Sequence, residues 1–127
     1  MRTTMLALAA GLSLVAVQAQ ADVKSEIVNA ETHAGLAAKA TAIDGVHTHL
    51  HHVLNCLVGP NGTGFDAKQL NPCAHAGNGA IPDMTDAAKK KSLEAAADKA
   101  RSGVAATDLA TAQKIASDTE AMLKPLE

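Results

Sequence analysis

The chain has 127 residues, of which 47% are hydrophobic but only 1% aromatic: one Phe, no Trp and no Tyr. That length allows one domain. The missing aromatics exclude an aromatic-anchored β-sandwich or barrel and a base-stacking platform for single-stranded nucleic acid. Eleven Lys and Arg against thirteen Asp and Glu give a formal charge of −2, which leaves no electrostatic footprint for nucleic acid.

Met1-Arg2 supplies one positive charge, Met5 to Val17 is an apolar stretch, and Ala19-Gln20-Ala21 has the small-x-small pattern that precedes a cleavage site. This pattern predicts a secretory signal peptide over 1–21, with the apolar stretch too short to span a bilayer comfortably. The mature chain is then expected to run from Asp22 as a single helical domain over 22–127, periplasmic or secreted and off the membrane after cleavage. Losing Arg2 changes its charge to 10 − 13 = −3.

The mature chain is rich in Ala, the best helix former. Residues 22–57 carry apolar residues at intervals of three and four, including Ile27, Ala30, Ala34, Ala37, Ile43, Val46, Leu50, Val53, Leu54 and Leu57. That is one face of a helix, with Asp44-Gly45 as the expected joint between two shorter pieces. Residues 58–82 are rich in Gly and Pro and read as a loop, long enough that it must be functional or tied down. Residues 83–124 read as helical again, opened by Asp83 or Thr85 as N-cap. Gly103 is a candidate break, and Thr107 or Asp108 is the candidate cap of a last helix. The expected fold is all-α: an antiparallel helical hairpin or a four-helix bundle. It closes either within one chain or by pairing two hairpins as a homodimer.

Cys56 and Cys73 are the only cysteines, so one intramolecular pairing exists, and in an oxidising compartment a disulfide is expected. It would staple the Gly/Pro-rich loop to the end of the first helical arm. C-x-x-C and C-x-x-C-H are both absent, which removes thioredoxin-like redox chemistry and c-type haem.

The most informative segment is His47-Thr48-His49-Leu50-His51-His52, with four histidines in six residues. On a helical wheel, His47 and His51 form an i, i+4 pair about 40° apart, a spacing that lets two imidazoles share a metal. Asp44, one turn earlier, could add an oxygen ligand or orient an imidazole. His49 and His52, at i, i+3, form a second set on the other flank of the core face, with His75 expected as their third member once the disulfide draws the loop back. His33 lies on the His47 side but about 21 Å away along an unbroken helix, so it joins only by a fold-back or from another subunit. Neutral imidazoles suit Cu(II), Zn(II) and Ni(II). The expected ligand is therefore a divalent transition metal, copper or zinc, with no organic cofactor. The alternative is an interaction module in which the stapled loop contacts a partner and the histidines line an interface.

Glu31-Thr32-His33-Ala34-Gly35-Leu36-Ala37, together with the His cluster on an Ala-rich exported chain, resembles the bacterial periplasmic small metal-binding proteins. The resemblance covers mainly residues 31–56, and the His-Ala unit recurs at His33-Ala34 and His75-Ala76. It implies a helical bundle that binds copper and other divalent metals.

Other motifs fail on chemistry. Gly59-x4-Gly64 has P-loop glycine spacing, but Phe65-Asp66 stand where Lys and Ser or Thr are required. H-E-x-x-H is absent, and Ser25, Ser92, Ser102 and Ser117 lie in helical stretches without a nucleophile elbow. Lys89-Lys90-Lys91 reads as a solvated helix face. Nothing in the sequence points to an enzyme.

Overall fold

The computed structural model describes residues 21–127. Its helices are α1 (Val23–Lys39), α2 (Ile43–Val58), the single turn α3 (Ala80–Asp83), α4 (Ala87–Ala105) and α5 (Leu109–Leu123), followed by a 3₁₀ turn at Lys124–Leu126. No strand occurs among the described residues. The expected leader lies outside them apart from Ala21. No described helix is long and apolar enough to cross a membrane.

The four long helices form an up-down-up-down bundle within one chain. α1 packs on α2 and α5, and α4 packs on α5 and α2. The registers are antiparallel. Gly35 of α1 and Ala40 just past its end meet Glu120 and Gln113 of α5, while His47 and Leu50 of α2 meet Ala106 and Gly103 at the end of α4. The core is a short list of large side chains (Ile27, Leu50, Leu57, Leu93 and Leu123) spaced by Ala30, Ala34, Ala37, Ala96, Ala97, Ala100, Ala112 and Ala116, all buried. Small faces of this kind let helices approach closely, towards the 8 Å end of the usual interaxial range. Gly103 shows the limit of this closeness. A Cβ there would lie 2.5 Å from Leu50 Cδ1, so α4 crosses α2 with no room for a methyl group.

Three of the four helix starts are capped by aspartate, as the residue chemistry favours. Asp22 accepts from Ser25 N at 2.9 Å, Asp86 from Lys89 N at 2.8 Å and Asp108 from Thr111 N at 2.8 Å. Asp108 is thus one of the two expected caps of the last helix, and the break precedes it at Ala106, leaving Gly103 inside α4.

Two expected boundaries are corrected. The first arm breaks at Ala40–Ala42, and Asp44 and Gly45 belong to the first turn of α2. Packing decides this joint: the Ala40 carbonyl, turned out of the helix, accepts from Gln113 Nε2 at 2.7 Å, and Gly45 fits beneath the Ala40 methyl group. The second arm opens on Asp86. Asp83 instead ends α3, where its carboxylate accepts from the Asn78 amide at 2.6 Å.

The segment between α2 and α3 is held at several points. Gly59 leaves α2 with φ +71°, and a Cβ on it would collide with the Asn78 carbonyl, so only glycine permits this crossing of the loop's two ends. The Cys56–Cys73 disulfide forms as expected, with a Cα–Cα distance of 5.1 Å. Asn55, fully buried in α2, threads its amide into the loop. Its Nδ2 donates to the Asp66 and Leu70 carbonyls at 3.0 and 3.1 Å, and its Oδ1 accepts from Asp66 N at 2.9 Å. Glu26 of α1, also fully buried, accepts from Gly79 N at 2.8 Å through Oε1, while Oε2 has no hydrogen-bond partner. Burial, with the Asp83 and Asp22 carboxylates nearby, pushes the Glu26 carboxyl up to about 7 against the Gly79 hydrogen bond.

Candidate metal centre

The break at Ala40–Ala42 folds α2 back along α1, and this decides which histidines meet. His33 and His49 each lie eight residues from Thr41, so an antiparallel hairpin sets them at the same level. His52, one turn beyond His49, lies on the same flank of α2. Three rings from two helices converge as a result. His33 Nδ1 lies 3.1 Å from His49 Nδ1 and 3.3 Å from His52 Nδ1. The ring centroids are 5.4, 4.9 and 5.6 Å apart, His52 standing edge-on to both of the others. The three ligand nitrogens lie within 4.8 Å of one another, the one group of three or more potential ligands of this kind among the described residues.

The geometry suits a metal ion. Two nitrogens bound at about 2.05 Å around a tetrahedral ion lie about 3.3 Å apart, close to the 3.1 and 3.3 Å found here. The protonation state suits it as well. Burial, reinforced by His52 and His49, lowers His33 to about 4, and burial with His49 and His51 lowers His52. Uncharged imidazoles keep lone pairs for coordination, which a protonated ring lacks. Without a metal, a neutral His33 Nδ1 offers either one N–H or one in-plane lone pair, so it makes a full hydrogen bond with only one of its two neighbours at a time. Coordination through all three Nδ1 atoms requires each neutral ring to carry its proton on Nε2.

His47 and His51, the expected leading pair, are placed apart from this centre. His47 Nε2 donates to the Ala106 carbonyl at 2.8 Å, satisfying one of the carbonyls left over at the end of α4. His51 Nδ1 faces the loop, 3.7 Å from Asp66 Oδ2, with no hydrogen-bond partner of its own. Asp44 is exposed in the first turn of α2, where its charge complements the helix N-terminus. His75 is exposed on the stapled loop, and the third ring beside His49 and His52 is His33. The disulfide does draw the loop back to α2, but Cys73 Sγ points at the Glu26 carbonyl, 3.7 Å away. The loop therefore anchors on the Glu26 side of α1.

A separate cleft of about 650 Å³ opens between the loop and α4, lined by Asn61, Thr63, Asn78, Lys90, Glu94 and Arg101 among others. Arg101 closes one side by donating to Asp98 at 2.6 Å and to the Thr63 carbonyl at 3.0 Å.

Comparison of the chain with family models, curated proteins and solved structures finds no match. The functional reading rests on the residues themselves.

Proposed function

We propose that this is an exported protein that binds or buffers a divalent transition metal, copper or zinc, at His33, His49 and His52, by reversible coordination without turnover. The observation that carries the reading is the convergence of three Nδ1 atoms from two helices, with 3.1 and 3.3 Å between neighbours. Three imidazole rings pressed together gain little as a packing device, since each keeps polar atoms that water would otherwise solvate. A cation shared between them uses all three. The closed Cys56–Cys73 bond supports export, because disulfides persist in oxidising compartments. The reading agrees in kind with the resemblance carried by residues 31–56.

Calorimetric titration of the chain from Asp22 with Zn(II) and Cu(II) tests this. One ion per chain at micromolar affinity or tighter is expected, abolished in His33→Ala/His49→Ala and retained in His47→Ala. Equal binding by all three proteins refutes the site. A second reading is favoured by the cleft beside Arg101: the stapled loop would be a contact surface for a polar partner. That reading gains if the His33→Ala/His49→Ala variant keeps its biological activity while Arg101→Ala loses it.

A further inference from the structure

We infer that the His33–His49–His52 centre supplies only three donors to its metal, takes the remaining donor from an exogenous monodentate ligand, and exchanges its metal through that open position. The inference rests on the metal reading above and adds how the ion enters and leaves.

The argument begins with the donors that are unavailable. Every other histidine among the described residues is spoken for or remote. His47 is bonded to the Ala106 carbonyl, His51 faces Asp66, and His75 is exposed on the loop. No carboxylate or thiolate of the described residues completes the group. Both cysteines are bonded to each other. Four-coordinate structural sites are closed by four protein ligands, whereas three protein ligands leave a position for water or another small donor.

Access is the second element. His33 and His49 are only partly buried, and only His52 is nearly covered. The centre therefore sits at the lip of the α1–α2 groove, with one side towards the core and one towards solvent. All three rings stand on helices already fixed by packing. Because the His33 and His49 rings are partly exposed, an incoming donor can reach the centre from their side and bind before any histidine leaves. Exchange by that route is associative: the entering ligand forms its bond first, and the histidines are released afterwards as protons return to the rings.

Cobalt(II) and azide test the inference on the chain from Asp22, because the visible bands of Co(II) report coordination directly. One Co(II) per chain is expected, with a spectrum that shifts saturably to a one-azide adduct. Zinc removal by a chelator should then run at a rate proportional to chelator concentration. The inference is overturned if Co(II) binds with one-to-one stoichiometry but its spectrum ignores azide and zinc leaves at a rate independent of chelator. That outcome leaves the metal reading standing, as a closed site. If Co(II) and Zn(II) both fail to bind, or bind equally to His33→Ala/His49→Ala, the metal reading falls and this inference falls with it.

Discussion

Replacing Asn55 by Ala is the sharpest test of how the long loop is held. The side chain is fully buried and touches the loop backbone through both ends of its amide, at Asp66, Gln69 and Leu70. Its two N–H groups and one carbonyl support three good hydrogen bonds, each worth about 1 kcal/mol net. Asp66 and Gln69 are half-buried and Leu70 is 64% exposed, so water recovers part of the loss at the released loop groups. The small void left in α2 acts the other way. The balance is a destabilisation of about 2–4 kcal/mol, measured by urea unfolding of the oxidised protein. Hydrogen exchange locates the effect: the Asp66 amide, which donates to Asn55 Oδ1, should lose protection before the core helices do. Asn55→Asp sharpens the test, because it keeps the acceptor for Asp66 N but turns a carboxylate towards three carbonyls. Its cost should grow as pH rises through the carboxylate range. A loss below about 0.5 kcal/mol in Asn55→Ala, with the Asp66 amide still protected, refutes the clamp and leaves the disulfide as the tether.

Removing the disulfide with Cys56→Ala/Cys73→Ala frees a loop with a sequence separation of 17. It should cost about 3 kcal/mol in urea unfolding by the chain-entropy relation; an unchanged midpoint would show the loop ordered without it. His47→Ala removes the hydrogen bond to the Ala106 carbonyl and should cost about 0.5–1.5 kcal/mol. It should leave metal affinity within about twofold, whereas a large affinity loss would return His47 to the ligand set. Glu26→Gln tests the buried carboxyl. Because the folded value of about 7 lies above the ordinary 4.5, the folded state holds the proton more tightly, and wild-type stability from this group falls as pH rises across that window. The Gln variant should therefore gain on wild type between pH 4.5 and 7, and a pH-independent difference would be contrary evidence. His33 acts in the opposite sense in chelator-treated protein. With a folded value of about 4 below the ordinary 6.5, its contribution is present above pH 6.5 and lost as pH falls towards 4. His33→Phe should remove that acid-side slope.

Much of the fold was legible because the signals were local. Ala content, three-four spacing, the loop rich in Gly and Pro, and the lone Cys pair point to helices around a staple. Asp108 at the last cap follows from hydrogen-bond chemistry within three residues. What escaped was decided by distant contacts. Nothing in Lys39-Ala40-Thr41-Ala42 marks a break, since Ala favours helix and neither Gly nor Pro is present; Gln113, some seventy residues later, donates to the exposed carbonyl. Misplacing that joint misplaced the site. On an unbroken helix His33 is remote from the cluster, but about a turn at Thr41 it is level with His49. The wheel did separate His47 and His51 from His49 and His52. The usable sequence signal was the symmetry of His33 and His49 about Thr41, which has meaning only once the turn is known. Asn55 left no signal at all, because its role lies in backbone groups of the loop.

The unusual composition and the centre have one physical cause. Nδ1 is the ring nitrogen nearer the backbone, so three Nδ1 atoms can meet only if their helices run close together. α1 turns Ala30, Ala34 and Ala37 to the core, and α2 answers with Val46, Leu50 and Val53, all with no exposed surface. Larger residues on the α1 face would part the helices and pull His33 away from His49 and His52. An aromatic core would stabilise the bundle more per residue, yet it would open the gap that the rings must span. Stability is recovered outside the core, through aspartate caps, the Asn55 clamp and the disulfide. Ala34→Leu tests this division of labour, because it adds bulk one residue from His33 at a position with no free surface. If the reasoning holds, the variant loses metal affinity by more than tenfold while staying helical by circular dichroism. Retained affinity in a folded Ala34→Leu protein would show that the rings do not depend on the close approach of α1 and α2.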